Sequence, residues 1–487
     1  MSIQQLITWA STFLLMLFLP RYLGPVEFGR YFLAMSIIGI FVLFVQYGGS
    51  FLVAKSVSRS PENTAQILVD AIGFRVLFAI LACTGLVVFA FLADYPREVR
   101  TLLFILSPLL MLGGMITVLY ACYQGRELLK YTSAGTITER VFIGLVGVAA
   151  LLLGARVVVY SVLVVIGSLL NLLVLASSAK RIVGSIPKFN SADAIRQIKD
   201  SFPFFLFAIF GTIYYRINSV MLSKMAPEYV MGWFGGAYRL FDTLNFFPYI
   251  FTVAVFPALA RLWKQNEQIH KRTTQKSIEF MVMVGVLVSV GVMGFADKII
   301  QLFCGLKEYG PSVIVLQILS AGLLFLYIDM VLGTTLMSSD RQSQLSVVSL
   351  IMIPFSAGLN YVLIPYAQSR YGNGGIGCAL ATSATEFCVM MSMLQLMPKG
   401  ILKGFRNSVI IKSLLAGVLM GGCIFLFRLS NSLWIVAVFV APAVYFVALF
   451  VLRTFEPAEE AFLRTMLTVR NMEGFRRAIS QNAPEQV

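Results

Sequence analysis

The chain has 487 residues, 58% hydrophobic and 13% charged, and its 38 Lys and Arg against 23 Asp and Glu give a formal net charge of +15. An ordinary soluble domain is nearer half apolar and a quarter charged, so this composition excludes a soluble enzyme and places the chain in lipid. Nucleic acid is not an expected partner. The scattered cysteines (Cys83, Cys122, Cys304, Cys378, Cys388, Cys423) and the single His270 give no disulfide framework, no metal site and no cofactor motif.

Crossing a hydrocarbon core of roughly 30 Å takes about twenty apolar residues. In chain order such stretches fall near 3–20, 31–53, 71–93, 101–121, 138–155, 158–178, 202–222, 232–258, 278–296, 313–337, 345–365, 374–396, 408–427 and 433–452. The expected fold is therefore an all-α integral membrane protein of about fourteen transmembrane helices. The first stretch runs into Pro20-Arg21 with no basic n-region or small-residue cleavage site, which reads as a retained helix and not a signal peptide. Gly24-Pro25, Tyr95-Pro96, Pro187, Pro227, Gly310-Pro311 and Gly372-Asn373-Gly374 punctuate the breaks. Two polar stretches read as amphipathic helices at the membrane surface: Arg261–Ser277, where Leu262, Trp263 and Ile269 alternate with Lys264, Lys271 and Arg272, and the tail from Glu456.

Positive charge is retained on the cytoplasmic side of short loops. Connections after even-numbered helices hold about 24 of the 38 Lys and Arg, and those after odd-numbered helices about 10. Both termini are thus expected in the cytoplasm, and this bias accounts for most of the +15 balance.

An internal repeat sets the domain organisation. Pro25-Val-Glu-Phe-Gly29-Arg-Tyr-Phe-Leu-Ala34 matches Pro227-Glu-Tyr-Val-Met-Gly232-Trp-Phe-Gly-Gly-Ala237, and Tyr120-Ala-Cys-Tyr-Gln-Gly-Arg126 matches Thr335-Leu-Met-Ser-Ser-Asp-Arg341. Two matches in the same order point to two six-helix halves. Halves with an even number of helices sit the same way up, with a substrate path between them. The expected division is an N-terminal lobe over 1–183, a cytoplasmic linker over 184–200, a C-terminal lobe over 201–398, a terminal helix pair over 399–453 and a cytoplasmic tail over 454–487.

Arg21-Tyr-Leu-Gly-Pro-Val-Glu-Phe-Gly-Arg-Tyr31 resembles a passage of the polysaccharide transporters, the O-antigen flippase branch of the multidrug/oligosaccharidyl-lipid/polysaccharide (MOP) exporter superfamily. Further resemblance lies in Asn218-Ser-Val-Met-Leu222, Gly232-Trp-Phe-Gly-Gly-Ala237-Tyr, Phe256-Pro-Ala-Leu-Ala-Arg261, Asn360-Tyr-Val-Leu-Ile-Pro365 and Gly374-Gly-Ile-Gly-Cys-Ala-Leu-Ala381-Thr. The resemblance covers nearly the whole chain. It implies two lobes around a V-shaped central cleft in the inner membrane, alternating between inward-open and outward-open states. It implies no enzyme activity, and a polyprenyl-pyrophosphate-linked oligosaccharide as substrate, moved from the cytoplasmic to the outer leaflet. A polysaccharide polymerase and chain-length machinery would be partners, membrane lipid a constant neighbour, and Na⁺ or H⁺ the coupling ion. In related peptidoglycan-precursor flippases helices seven, eleven and twelve share a cation site; here the comparable positions are Asn218, Ser356, Asn360 and Thr382, with Asn218 departing from the acid that relatives often carry.

Charge at membrane depth costs about 2.5 to 3.5 kcal/mol on insertion scales, so each such residue is a functional candidate. Arg216 and Arg239, with Asp242 one turn on, fall in the helices that line the cleft in this superfamily. Guanidinium pairs bidentately with phosphate and stays charged when desolvated. The competing reading is an internal Arg239–Asp242 ion pair. Arg75 is a further substrate candidate that could instead snorkel or pair with Asp70. Asp329 and Glu386 are candidate proton carriers, and Glu139, Arg140 and Glu279 read as interfacial. Phe246, Phe247 and Pro248 mark an expected bend. Other readings are a drug/cation antiporter, which would lack the terminal helix pair, a peptidoglycan lipid II flippase, and a membrane-embedded polymerase or glycosyltransferase, for which the short external loops offer no acidic pair.

Overall fold

The structure, a computed structural model, describes residues 3–47, 49–179, 187, 189–428 and 434–456. The described residues form helices and no strand. The first half runs α1 (Ile3–Gln46), α2 (Gly49–Arg59), α3 (Thr64–Leu92), α4 (Arg97–Leu106), α5 (Pro108–Gly125), α6 (Leu129–Phe142), α7 (Val148–Leu152) and α8 (Val157–Ala179). The second runs α9 (Ser191–Met225), α10 (Glu228–Leu244), α11 (Phe246–Gln265), α12 (Glu267–Gly294), α13 (Ala296–Phe303), α14 (Leu306–Tyr309), α15 (Ser312–Ser338), α16 (Gln342–Tyr371) and α17 (Gly374–Leu396). The terminal pair is α18 (Asn407–Arg428) and α19 (Trp434–Val451).

Twelve helical stretches among the described residues are long and apolar enough to cross a membrane. All fourteen expected segments fall on helices. Two of them share α1, divided where Gly24 adopts φ 68° and ψ 171°, a conformation open to glycine and costly for residues with a Cβ. The fourth is interrupted at Ser107-Pro108, and the fifth carries a π-helical turn over Ile143–Gly147. The eighth breaks at Asn245, one residue before the Phe246-Phe247-Pro248 bend expected from sequence.

Two expectations need correcting. Arg261–Ser277 is not one surface helix: α11 continues to Gln265, and α12 starts after Asn266, whose side chain caps it by accepting from the Ile269 amide at 3.0 Å. The Asn cap ends one helix and opens the next, and both polar segments extend their membrane helices. The linker expected over 184–200 is shorter, because α9 already begins at Ser191. The remainder of that linker is largely outside the described residues, as is the expected tail beyond residue 456.

The repeat has a direct structural use. A Cβ on Gly29 would stand 2.6 Å from the Gly232 nitrogen, and one on Gly232 would stand 1.8 Å from the Pro25 carbonyl oxygen. The matched glycines therefore press α1 and α10 backbone to backbone, as small residues do between membrane helices. Around this contact the loops expected on the external side join the halves. Arg30 bonds Glu228 at 2.7 Å, Arg21 donates to the Gln301 carbonyl at 2.8 Å, and the Tyr309 hydroxyl donates to the Pro20 carbonyl at 3.1 Å. Lys224 donates to the Ala93 carbonyl, and within the second half Trp233 donates to the Glu308 carbonyl at 2.8 Å. This end of the bundle is sealed.

Candidate functional site

Below that seal, α1, α5, α6, α8, α9 and α10 line a cavity of about 370 Å³. Its charged lining is Glu139 and Arg140 from α6, Arg216 from α9, and Arg239 and Asp242 from α10. Helical spacing places the last two on one face a turn apart, and Asp242 has both Arg216 and Arg239 as electrostatic neighbours. Among the described residues no direct ion pair joins Arg239 to Asp242, which feels the charge of Arg216 ahead of that of Arg239. Arg216 reaches the first half: its Nε would lie 3.6 Å from a Cβ on Gly39 of α1. Tyr31 and Tyr160 meet edge to face at 5.4 Å on the opposite wall.

The two acids are committed differently. Glu139 accepts from Ser168 Oγ at 3.0 Å and Asn171 Nδ2 at 2.7 Å, and Asn171 Nδ2 also donates to the Tyr120 hydroxyl at 3.0 Å. Arg140 follows it in sequence, three residues before the π turn starts at Ile143, and its carbonyl accepts from Ser11 Oγ at 2.8 Å. A Cβ on Gly144 would stand 2.8 Å from that Ser11 oxygen, so glycine lets α1 sit against α6 here. The guanidinium groups of Arg140, Arg216 and Arg239 make no side-chain hydrogen bond among the described residues, and the Arg140 Nε is buried without an acceptor. Three forked donors thus converge on one cavity with acceptors in short supply, which favours an anion presenting several oxygens.

A second cavity of about 740 Å³ shares Asp242 with the first. It is lined mainly by apolar groups, among them Trp9, Phe13 and Met16 of α1, Phe246 of α11, and Leu326 and Met330 of α15. Phe246 stands edge-on to Trp9 at 4.6 Å. A polar, cationic chamber therefore adjoins an apolar one.

The other candidates divide into three groups. Asn218, Ser356, Asn360 and Thr382 come together: Ser356 Oγ and Asn360 Nδ2 donate to Asn218 Oδ1 at 2.9 and 2.7 Å, and Asn218 Nδ2 donates to Thr382 Oγ1 at 3.0 Å. Buried in the second half, this cluster ties α9 to α16 and α17 and consumes most of its own oxygens. Asp329 of α15 and Glu386 of α17 also meet, 6% and 4% exposed. Both Asp329 oxygens are buried without a donor among the described residues, while Glu386 accepts from the Tyr214 hydroxyl at 2.7 Å. Arg75 stands apart. It is 1% exposed and outside the central cavity, with contacts at 3.5 and 3.4 Å to the Ala71 and Gln46 carbonyls and its guanidinium 5.2 Å from the Phe74 ring. Asp70 does not pair with it, because that carboxylate accepts from Gln66 and from the Asn190 amide at 2.8 Å.

Residues 1–263, more than half of the chain, match the family model described as polysaccharide biosynthesis protein. The chain belongs to that family. The capsular polysaccharide biosynthesis protein CapF of Staphylococcus aureus is 21% identical over 404 residues, covering 80% of this chain and 96% of CapF. In fold, the chain is similar to the lipid II flippase MurJ in an inward closed conformation, with a TM-score of 0.72 at 17% identity over 91% of this chain and 96% of MurJ. It is also similar to a multidrug resistance MATE family transporter of the MOP superfamily in an inward-facing conformation, with a TM-score of 0.64 at 16% identity over 81% and 95% of the two chains. This member of the polysaccharide biosynthesis family is thus a multi-pass membrane protein with the fold of MOP-type transporters.

Sequence reasoning located Arg216, Arg239 and Asp242 but set Glu139 and Arg140 aside as interfacial. Their signal was an adjacent acid and base inside an apolar stretch. What they face depends on the packing of α6 against α1 and α8, which no local pattern reports. The aromatic pair Tyr31 and Tyr160 carried no signal, since aromatic residues are common throughout the chain.

Proposed function

We propose that this transporter moves a polyprenyl-pyrophosphate-linked oligosaccharide, a repeat unit of a surface polysaccharide, from the cytoplasmic to the outer leaflet by alternating access. The observation that carries this reading is the cavity holding Arg140, Arg216 and Arg239 between the halves, which shares Asp242 in its wall with an apolar chamber. Guanidinium donors suit a pyrophosphate, and the apolar walls suit the first isoprene units of its carrier. Closure of the halves at Gly29 and Gly232 blocks one exit while the cavity loads.

Coupling to a cation gradient belongs to the same reading, with H⁺ as the ion and Asp329 and Glu386 as its site. A buried carboxyl pair inside a membrane protein is a place where protons bind and leave as surroundings change. Tyr214 connects that pair to α9, the helix that carries Arg216 two residues on. The neutral Asn218 cluster is a weaker site for Na⁺, because it has no carboxylate and, of its side-chain amide oxygens, Asn218 Oδ1 already accepts two hydrogen bonds while only Asn360 Oδ1 is without a donor.

The test is a leaflet assay on purified protein in liposomes with a fluorescent polyprenyl-pyrophosphate oligosaccharide, scoring protection from an external quencher under an imposed proton gradient. Gradient-dependent movement, lost in Arg216→Ala, is the expected result. Equal protection with folded protein and with empty liposomes would overturn the reading.

A further inference from the structure

A pocket of about 620 Å³ lies far from the central cavity, where the start of α12, the connection from α17 to α18 and the segment after α19 converge. The charge bias of the loops assigns this end to the cytoplasmic face. Five cations line it: Lys271, Arg272 and Lys276 from α12, and Lys403 and Arg406 from the connection. The carboxylates at its wall number three, Glu267, Glu279 and Glu456, so cations are in excess.

The geometry is built. Gln275 Nε2 donates to the Ile401 carbonyl at 2.7 Å and clamps the connection onto α12, and Gly400 and Gly404 take φ of 92° and 80° to wrap it. Into this frame Glu456 inserts a single carboxylate. It lies 2.7 Å from Lys276, 3.2 Å from Arg406 and 3.6 Å from Arg272. The hydrogen bond from Lys276, with the charges of Lys276, Arg406 and Arg272, holds the Glu456 carboxyl below its ordinary range. Three cations from two elements thus already coordinate one anion, and Lys271 and Lys403 stand beside them. α18 begins one residue after Arg406, and along it Ile411, Leu414, Leu415 and Val418 are exposed at helical spacing, an apolar face that leads away from the cationic rim.

We propose that this pocket binds the phosphate of an anionic membrane lipid, with the acyl chains against α18, and that Glu456 is an internal competitor for the same cations. Basic pockets at the cytoplasmic ends of membrane helices recognise such headgroups by this chemistry. Lipid binding displaces Glu456 and releases the segment after α19 from α12. The proposal stands independently of the transported substrate.

The test uses the full chain purified in detergent, with native mass spectrometry scoring retained phosphatidylglycerol against phosphatidylcholine, and inorganic phosphate as a competitor. Selective retention of phosphatidylglycerol is expected, falling about fivefold for each of Arg272→Gln and Arg406→Gln, the weight of one cation at a membrane surface. Glu456→Gln removes the competitor and is expected to increase retention. Lys403→Gln, which removes a cation with no part in holding Glu456, covers the case in which Arg406→Gln does not fold. Equal retention of the two lipids, displacement by millimolar inorganic phosphate, or unchanged retention in Glu456→Gln would each overturn the proposal.

Discussion

The Nη2 of Arg30, just beyond the Gly24 break in α1, lies 2.7 Å from a carboxylate oxygen of Glu228 at the first turn of α10. This pair bridges the two halves at their sealed end, beside the Gly29–Gly232 contact. Its side chains are 22% and 32% exposed, so it is partly shielded from solvent, and under the alternating access proposed above it is a contact that must open.

Arg30→Gln and Glu228→Gln are each expected to loosen the seal, and the double variant to loosen it no further, because the residues act as one pair. Hydrogen exchange over residues 21–31 and 228–235 measures this. Independent, additive increases would show that the pair does not act as a unit.

Gly232→Ala is expected to destabilise by about 1 to 3 kcal/mol or more, since the added methyl meets a carbonyl that cannot move without shifting α1. Gly211→Ala is the control, with nothing within 4 Å of the new Cβ. Thermal unfolding in detergent should separate the two, with Gly211→Ala at or above the parent.

Loss of a charge-assisted hydrogen bond to substrate costs about ten- to a hundredfold. Arg216→Ala, Arg239→Ala and Arg140→Ala should each lower transport by at least this much while leaving folded protein in the membrane. Arg216→Lys retains charge but loses the planar fork and should fall between. Arg75→Gln, outside the cavity, should affect stability and leave substrate binding unchanged.

Asn218→Ala strands the donors of Ser356 and Asn360 in a buried site, for an expected cost of about 1 to 3 kcal/mol. Asp329→Asn and Glu386→Gln should instead leave stability nearly intact and abolish the response of transport to a proton gradient. If transport in these two variants follows the gradient as in the parent, the coupling site is elsewhere.

What was legible in the sequence follows from the bilayer itself. Hydrocarbon demands long apolar helices, so the segments, the Gly24-Pro25 break, a bend near Phe246-Phe247-Pro248 and the two-half organisation could be read locally, and charges inside apolar stretches such as Arg216 and Arg239 stood out because lipid makes them rare. The repeat glycines were visible too, though not that they touch each other.

The partners of each charge were decided only by tertiary packing. Sequence offered Asp242 to Arg239 and Asp70 to Arg75, since both pairs are near in the chain. Packing gave Asp70 to Gln66 and the Asn190 amide, left Arg75 among carbonyls and a ring, and put Arg140, read from sequence as interfacial, in the wall of the central cavity. Helix periodicity fixes which residues share a face, but which face meets which neighbour depends on side-chain volumes and glycine contacts from segments hundreds of residues apart, and so the site exists only once the helices have packed.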